Sequence, residues 1–230
     1  SERRRDVFSG HIDLKFNIIK GLTFTSSNGV DYYNNTSYSF TPQSVNGAGK
    51  NSMGNSNLQW MLLQSSNNIT YNHTWNDKHY LTVTGVWEAT KSTIRNMGIS
   101  GSSLQAESVG WWDVKNAVTR DATNGYSDWA LLSGVGRVIY NYDNRYMLTG
   151  TFRADGSSRF TNDKWGYFPS VAVAWTASNE SFMESTRDLI SNLKIRASYG
   201  VIGNQDIDPY STLAILNTTT TYFGNSSGVT

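Results

Sequence analysis

Apolar and polar residues alternate along this chain with a period of two, and the alternation recurs over most of its length. It is cleanest over residues 145–155. Tyr146, Leu148, Gly150, Phe152 and Ala154 share one parity, and Met147, Thr149, Thr151, Arg153 and Asp155 share the other. Successive side chains of a strand point to opposite faces, so this segment has one apolar and one wet face. A Gly/Ser/Asn-rich loop over 156–166 follows, and Val171, Val173 and Trp175 bring the chain back on a single parity. The rest of the chain repeats this two-strand unit.

Upstream, Ile12, Leu14, Phe16 and Ile18 alternate with His11, Asp13, Lys15 and Asn17, which predicts a first strand and a tight turn at Lys20-Gly21. A second strand runs from Leu22 to about Phe40, and a Gly/Asn/Ser-rich loop covers 41–57. Strand character resumes at Leu58, and a change of parity over 65–68 reads as a β-bulge before Ile69, Tyr71, His73 and Trp75. After a turn at 76–78, Leu81, Val83, Gly85, Trp87 and Ala89 oppose Thr82, Thr84, Glu88 and Thr90. Residues 95–128 read as a long irregular insertion, 132–142 as a strand turning at Asp143-Asn144, and 178–191 as a short helix. Leu193, Ile195, Ala197 and Tyr199 then oppose Lys194, Arg196 and Ser198, and a last strand is expected near 210–216. The total is about nine strands, mostly alternating short turns with long loops.

Composition agrees with strands: 13 Tyr, 9 Phe and 8 Trp stand beside 20 Gly and only 3 Pro in 230 residues. A net charge of +1 offers no electrostatic grip on nucleic acid. With no Cys, disulfides and thiolate metal sites are excluded. The basic N-terminus has no apolar run behind it and is not a signal peptide. A mean hydropathy of −0.46 suits a soluble protein, yet also a membrane barrel, in which only alternate residues meet lipid. Alternation alone leaves a transmembrane barrel and a soluble β-sandwich or propeller both open. Three features favour the barrel: strands near the ~9–11 residues that cross a bilayer, aromatics at strand ends, and charges confined to one parity. Those charges are Glu88, Arg153, Lys194 and Arg196, which must then face a wet interior.

Particular strings sharpen this. NYDNRYMLTGTFRADGSSRF, KWGYFPSVAVAW, SNESFM and NLKIRASYGVIGNQDI closely resemble the barrel of SusC/RagA-like TonB-dependent transporters of Gram-negative outer membranes. Weaker similarity extends upstream through DWALLSGVGRVIYNY and LKFNIIKGLTFTSSNGVDYYN. The resemblance implies an all-β, antiparallel transmembrane barrel of 22 strands with long extracellular loops, of which residues 1–230 would be a part. It also implies a plug domain and TonB box, neither recognisable here, and no cofactor or catalytic role. The implied partners are a SusD-like surface lipoprotein acting as a lid, the TonB complex, outer-membrane lipids, and an imported oligosaccharide or peptide.

Arg153, Asp155 and Arg159 read as a charged cluster at the outer mouth, either touching substrate or bracing the Asp-Gly-Ser-Ser turn. Trp111-Trp112 could stack on sugar rings, close under a lid, or pack their own loop. His73 shares parity with Tyr71 and Trp75, as an interfacial residue would. GAGKNS at 47–52 departs from a P-loop, because Ser44 stands where that motif needs Gly. Two rival readings are a soluble, secreted carbohydrate-binding β-protein and an outer-membrane enzyme. The enzyme would need a Ser/His/acid constellation on the lumen wall.

Overall fold

The computed structural model describes residues 1–47, 49–186, 189–203, 221–223 and 226–228. Eight strands form one antiparallel sheet in sequence order: β1 (Glu2–Ile19), β2 (Leu22–Thr41), β3 (Ser52–Trp75), β4 (His79–Leu104), β5 (Ala117–Tyr142), β6 (Tyr146–Ser157), β7 (Trp165–Thr176) and β8 (Lys194–Gly200). A separate ribbon pairs Thr221–Phe223 with Ser226–Gly228. The ninth strand expected near 210–216 lies outside the described residues.

Turn chemistry explains one end of the sheet. At 76–77 and 143–144, consecutive Asn and Asp residues adopt positive φ of 51–54°, the conformation of tight hairpin turns. Gly21 has φ 84°, and a Cβ there would collide with the Asn72 carbonyl, so only glycine serves. The opposite end carries the longer loops 42–51, 105–116 and 158–164.

Four expectations are corrected. Residues 95–128 are not an irregular insertion: β4 runs to Leu104, β5 starts at Ala117, and only 105–116 lies between them. β3 likewise begins at Ser52, which shortens the expected 41–57 loop. These extensions mix apolar with polar residues and hold the buried Met53, Leu104 and Ala117, so no sustained apolar period marks them. The parity change at 65–68 is no bulge, because β3 keeps unbroken register with β2 and β4 throughout. Leu58, Trp60 and Leu62 simply face inward, where Trp60 stacks on Tyr33 at 5.2 Å and donates to the Ser92 hydroxyl at 3.1 Å. The one register shift recorded in β1–β2 falls between Asn17 and Ile19. Finally, 178–191 holds no α-helix but short 3₁₀ turns at Ala177–Asn179 and Ser181–Thr186.

Register sorts the side chains. Phe16, Phe24, Ile69, Gly85, Gly136 and Phe152 lie on one line across six strands, with Leu148–Val173 and Gly150–Val171 beside it. This face is apolar and largely bare: Ile12, Val138, Leu148, Val171 and Ile195 are all exposed. At its short-turn edge Tyr71, His73, Trp75, His79, Tyr140, Tyr142 and Tyr146 form a chain of ring contacts, the closest at 5.0–5.1 Å. Among the described residues only Met53, Leu104, Ala117 and Ala177 are buried hydrophobics. The single sheet lacks the packed core that two facing sheets of a sandwich would share.

A polar clasp holds the short-turn end. The Tyr146 hydroxyl and Trp175 indole donate to Glu180 at 2.6 and 3.0 Å, and Arg145 lies 3.5 Å from its other oxygen. The Tyr146 hydrogen bond, with help from Trp175 and Arg145, keeps the Glu180 carboxyl below the usual carboxylate range. Its stabilising effect is therefore complete at neutral pH and lost as acid protonates the group. Unfolding of the intact barrel, followed by tryptophan fluorescence, should show an acid-side loss of stability that E180Q flattens. On the outward face, V138R should destabilise the barrel by about 2–4 kcal/mol near the midplane and less toward an edge. T149R, pointing the other way, should cost far less in the same unfolding assay.

Candidate functional site

The inward face is the candidate site. Pairing sets Asp13, Ser27, Ser66, Glu88, Ser133 and Asp155 on one line across β1 to β6, so acids and hydroxyls follow each other around the wall. Ser66 donates to Glu88 at 3.0 Å. The Arg153 guanidinium clasps Asp155 at 2.8–2.9 Å and reaches the fully buried Ser133 hydroxyl at 3.3 Å. A neighbouring line carries Thr23, Thr70, Thr84, Arg137 and Thr151, with the two central threonines 3.3 Å apart and Arg137 donating to Thr151 at 3.2 Å. Such a wall offers donors and acceptors to a hydrated polar surface.

The residues singled out from sequence fall into three places. Glu88, Arg153, Asp155, Lys194 and Arg196 all share the inward face. Lys194 and Arg196 pair with Thr176 and Ala174, and the Lys194 ammonium lies 3.1 Å from the Met147 sulfur of that face. Arg159, in loop 158–164, rests its guanidinium 4.6 Å above the ring of Trp129, an inward residue of β5. Trp111 and Trp112 sit elsewhere. Trp111 stacks on Tyr38 at 6.3 Å and Trp112 meets it tilted at 5.7 Å, on the surface continuous with the outward face. Trp111 packs against the small cluster of Met53, Leu104 and Ala117, while Trp112 is 75% exposed. They therefore do not converge with Arg153 and Asp155.

Histidines and the GAGKNS string resolve in the same way. His73 and His79 belong to the outward aromatic edge, His79 bonding the Tyr140 hydroxyl at 2.6 Å, whereas His11 faces inward beside Asp13 at 2.9 Å. GAGKNS falls across the end of loop 42–51 and the first residue of β3. Sequence reasoning missed the acid–hydroxyl line. Ser27, Ser66 and Ser133 are ordinary strand serines until register aligns them.

Strands long enough to cross a bilayer, a bare apolar face edged by aromatics and a charged opposite face together define a segment of transmembrane β-barrel wall. No family model matches the chain. Known proteins do. It is 32% identical over 218 residues to TonB-dependent receptor P3 and 33% identical over 215 residues to TonB-dependent receptor P39, both of Formosa agariphila. These matches cover 93% and 89% of the chain but 22% and 20% of the receptors. Over 78 residues, 34% of the chain and 8% of the relative, it is 45% identical to TonB-dependent receptor SusC of Bacteroides thetaiotaomicron. The solved structure of the RagAB peptide transporter superposes with a TM-score of 0.82 at 22% identity, over 99% of this chain and 26% of that one. The chain is barrel sequence of the SusC-like TonB-dependent receptor kind, spanning about a fifth of the length of the curated relatives it matches.

The Arg153–Asp155 pair is partly open to solvent, with side chains 41% and 20% exposed. R153A is therefore expected to lower barrel stability by no more than about 1 kcal/mol, and a double-mutant cycle with D155A should return a coupling of that size or smaller.

Proposed function

We propose that this chain forms wall, mouth loops and lumen lining of an outer-membrane active transporter that imports nutrients too large for porins. All of residues 1–230 belong to the barrel domain in this reading. The energy comes from the TonB complex acting on a plug held in the barrel, and a SusD-like surface lipoprotein closes the mouth. No step of this work is catalytic.

One observation carries the proposal: charge and grease are sorted onto opposite faces of a sheet that is about a third identical to TonB-dependent receptors over nearly its whole length. The inward acid–hydroxyl lines suit a hydrated lumen in contact with a polar plug and a polar cargo. Oligosaccharides and peptides are the two substrate classes. The family resemblance implies the first, and a structural neighbour described as a peptide transporter supports the second. In this reading Arg153, Asp155 and Arg159 line the mouth, and Glu88, Lys194 and Arg196 line the lumen. In the same reading the exposed ring of Trp112, on the other surface, meets the lipoprotein or a glycan outside the membrane.

An in-frame deletion of the gene encoding the intact transporter tests this. The deletion strain should lose growth on one oligosaccharide or peptide source while keeping growth on monosaccharides and amino acids. Disrupting the TonB complex should reproduce that defect. Unimpaired growth and uptake of labelled oligosaccharides and peptides in both strains would refute the proposal.

A further inference from the structure

The outward face is not uniformly apolar, and its departure is local. Along β4 the outward residues run Leu81, Val83, Gly85, Trp87 and Ala89, all uncharged, and then reach Lys91. Lys91 is exposed and makes no ion pair among the described residues. It stands at the long-loop end of the apolar band, where a hydrocarbon core gives way to headgroups. Lys164, also exposed, lies next to Trp165 at the same end of β7.

Between these two lysines the surface is hollow. A groove of about 650 Å³ is lined by both ammonium-bearing side chains, by Leu63, Ala89 and Leu132, and by Trp165. That volume lies within the ~300–1,000 Å³ range of ligand clefts. Its floor is low because small residues meet there. The Trp165 ring overhangs Gly156, where a Cβ would already stand 3.0 Å from it. Below, on the same face, Gly134, Gly136 and Gly150 have nothing within 4 Å of the place a Cβ would occupy. No carboxylate lines the groove.

We infer that this groove is a binding site for an anionic, phosphate-bearing lipid of the leaflet on the long-loop side. The acyl chain lies in the groove beside Leu132 and Trp165 and continues down over the glycine strip. The phosphate sits between Lys91 and Lys164. Each half of the site explains what the other does not. A hollow apolar strip alone would take any acyl chain, and two lysines alone would be solubilising charge. Together they join a hydrocarbon slot to a cationic rim at the depth where a phospholipid joins chain to phosphate. The Trp165 indole, at the interface, completes the rim as such rings do in membrane barrels. The inference concerns the lipid-facing surface and is independent of what the barrel imports.

The test uses the intact transporter, purified in detergent, and a phosphatidate carrying a photoactivatable group midway along one acyl chain. A phosphatidylcholine with the same chains and label is the control. Adducts mapped by peptide mass spectrometry should concentrate on residues 89–91, 130–132 and 156–165, with phosphatidate favoured over phosphatidylcholine. Each lysine should contribute about fivefold to that preference, so K91Q/K164Q should lower it roughly 25-fold while K91R/K164R keeps it. A89F should remove adducts of both lipids at these residues. A gel shift of the folded against the heated barrel confirms that each variant has folded. Equal labelling by the two lipids, an unchanged preference in K91Q/K164Q, or full displacement by inorganic phosphate would overturn the inference.

Discussion

Within hydrocarbon a backbone N–H or C=O has no water to turn to, and each one left unpaired costs several kcal/mol. Everything in this sheet follows from that constraint. β1 to β8 satisfy it by pairing each strand with its sequence neighbour in a ladder broken by one small register shift. β1 and β8 each keep one edge unpaired within that sheet, and neither edge can be left so in a membrane. The sheet is an arc, and closure requires further strands. That is why a chain spanning about a fifth of its relatives' length has so little core of its own.

Once the ladder is complete, register decides the faces. A strand cannot turn one residue outward without turning the next inward, so Val171 and Val173 meet lipid only because Ala172 and Ala174 do not. The same arithmetic gathers Asp13, Glu88 and Asp155 with three serines on the wet side, although the acids are 75 and 67 residues apart in sequence. A polar wall of this kind costs nothing in a hydrated lumen. On the other face it could not exist. The aromatic edge marks where the rule relaxes: rings of Trp75, His79 and Tyr140 have an apolar body for the membrane and a polar tip for the interface. Past the opposite edge Lys91 is tolerated, and β3, β4 and β5 extend beyond the apolar band to the small cluster of Met53, Leu104 and Ala117.

Strand pairing across the bilayer was legible in the residues themselves. The turns at Lys20-Gly21, 76–78 and Asp143-Asn144, the apolar parity of β6 to β8 and the placement of Arg153, Lys194 and Arg196 on the face opposite the apolar one all follow from alternation and turn chemistry. What was misread lies where lipid no longer writes the pattern. Residues 95–104 and 117–128 are strands whose outward positions mix Arg95, Arg120 and Asp128 with Met97, Val118 and Tyr126, so they carry no sustained apolar period and resemble loop. The parity change in β3 arises because Trp60 packs inward against Tyr33 at one height while Ile69 packs outward at another.

Sequence alone determined which residues must part company, because a charge in hydrocarbon is too costly for any pairing to redeem. It could not say which residues meet. The partnership of Arg153 with Ser133, the resting of Arg159 on Trp129, the turning of Trp111 and Trp112 onto the outward surface and the hollow between Lys91 and Lys164 join residues up to 74 positions apart. Those distances in sequence are closed only by cross-strand register. Register is a property of the assembled sheet.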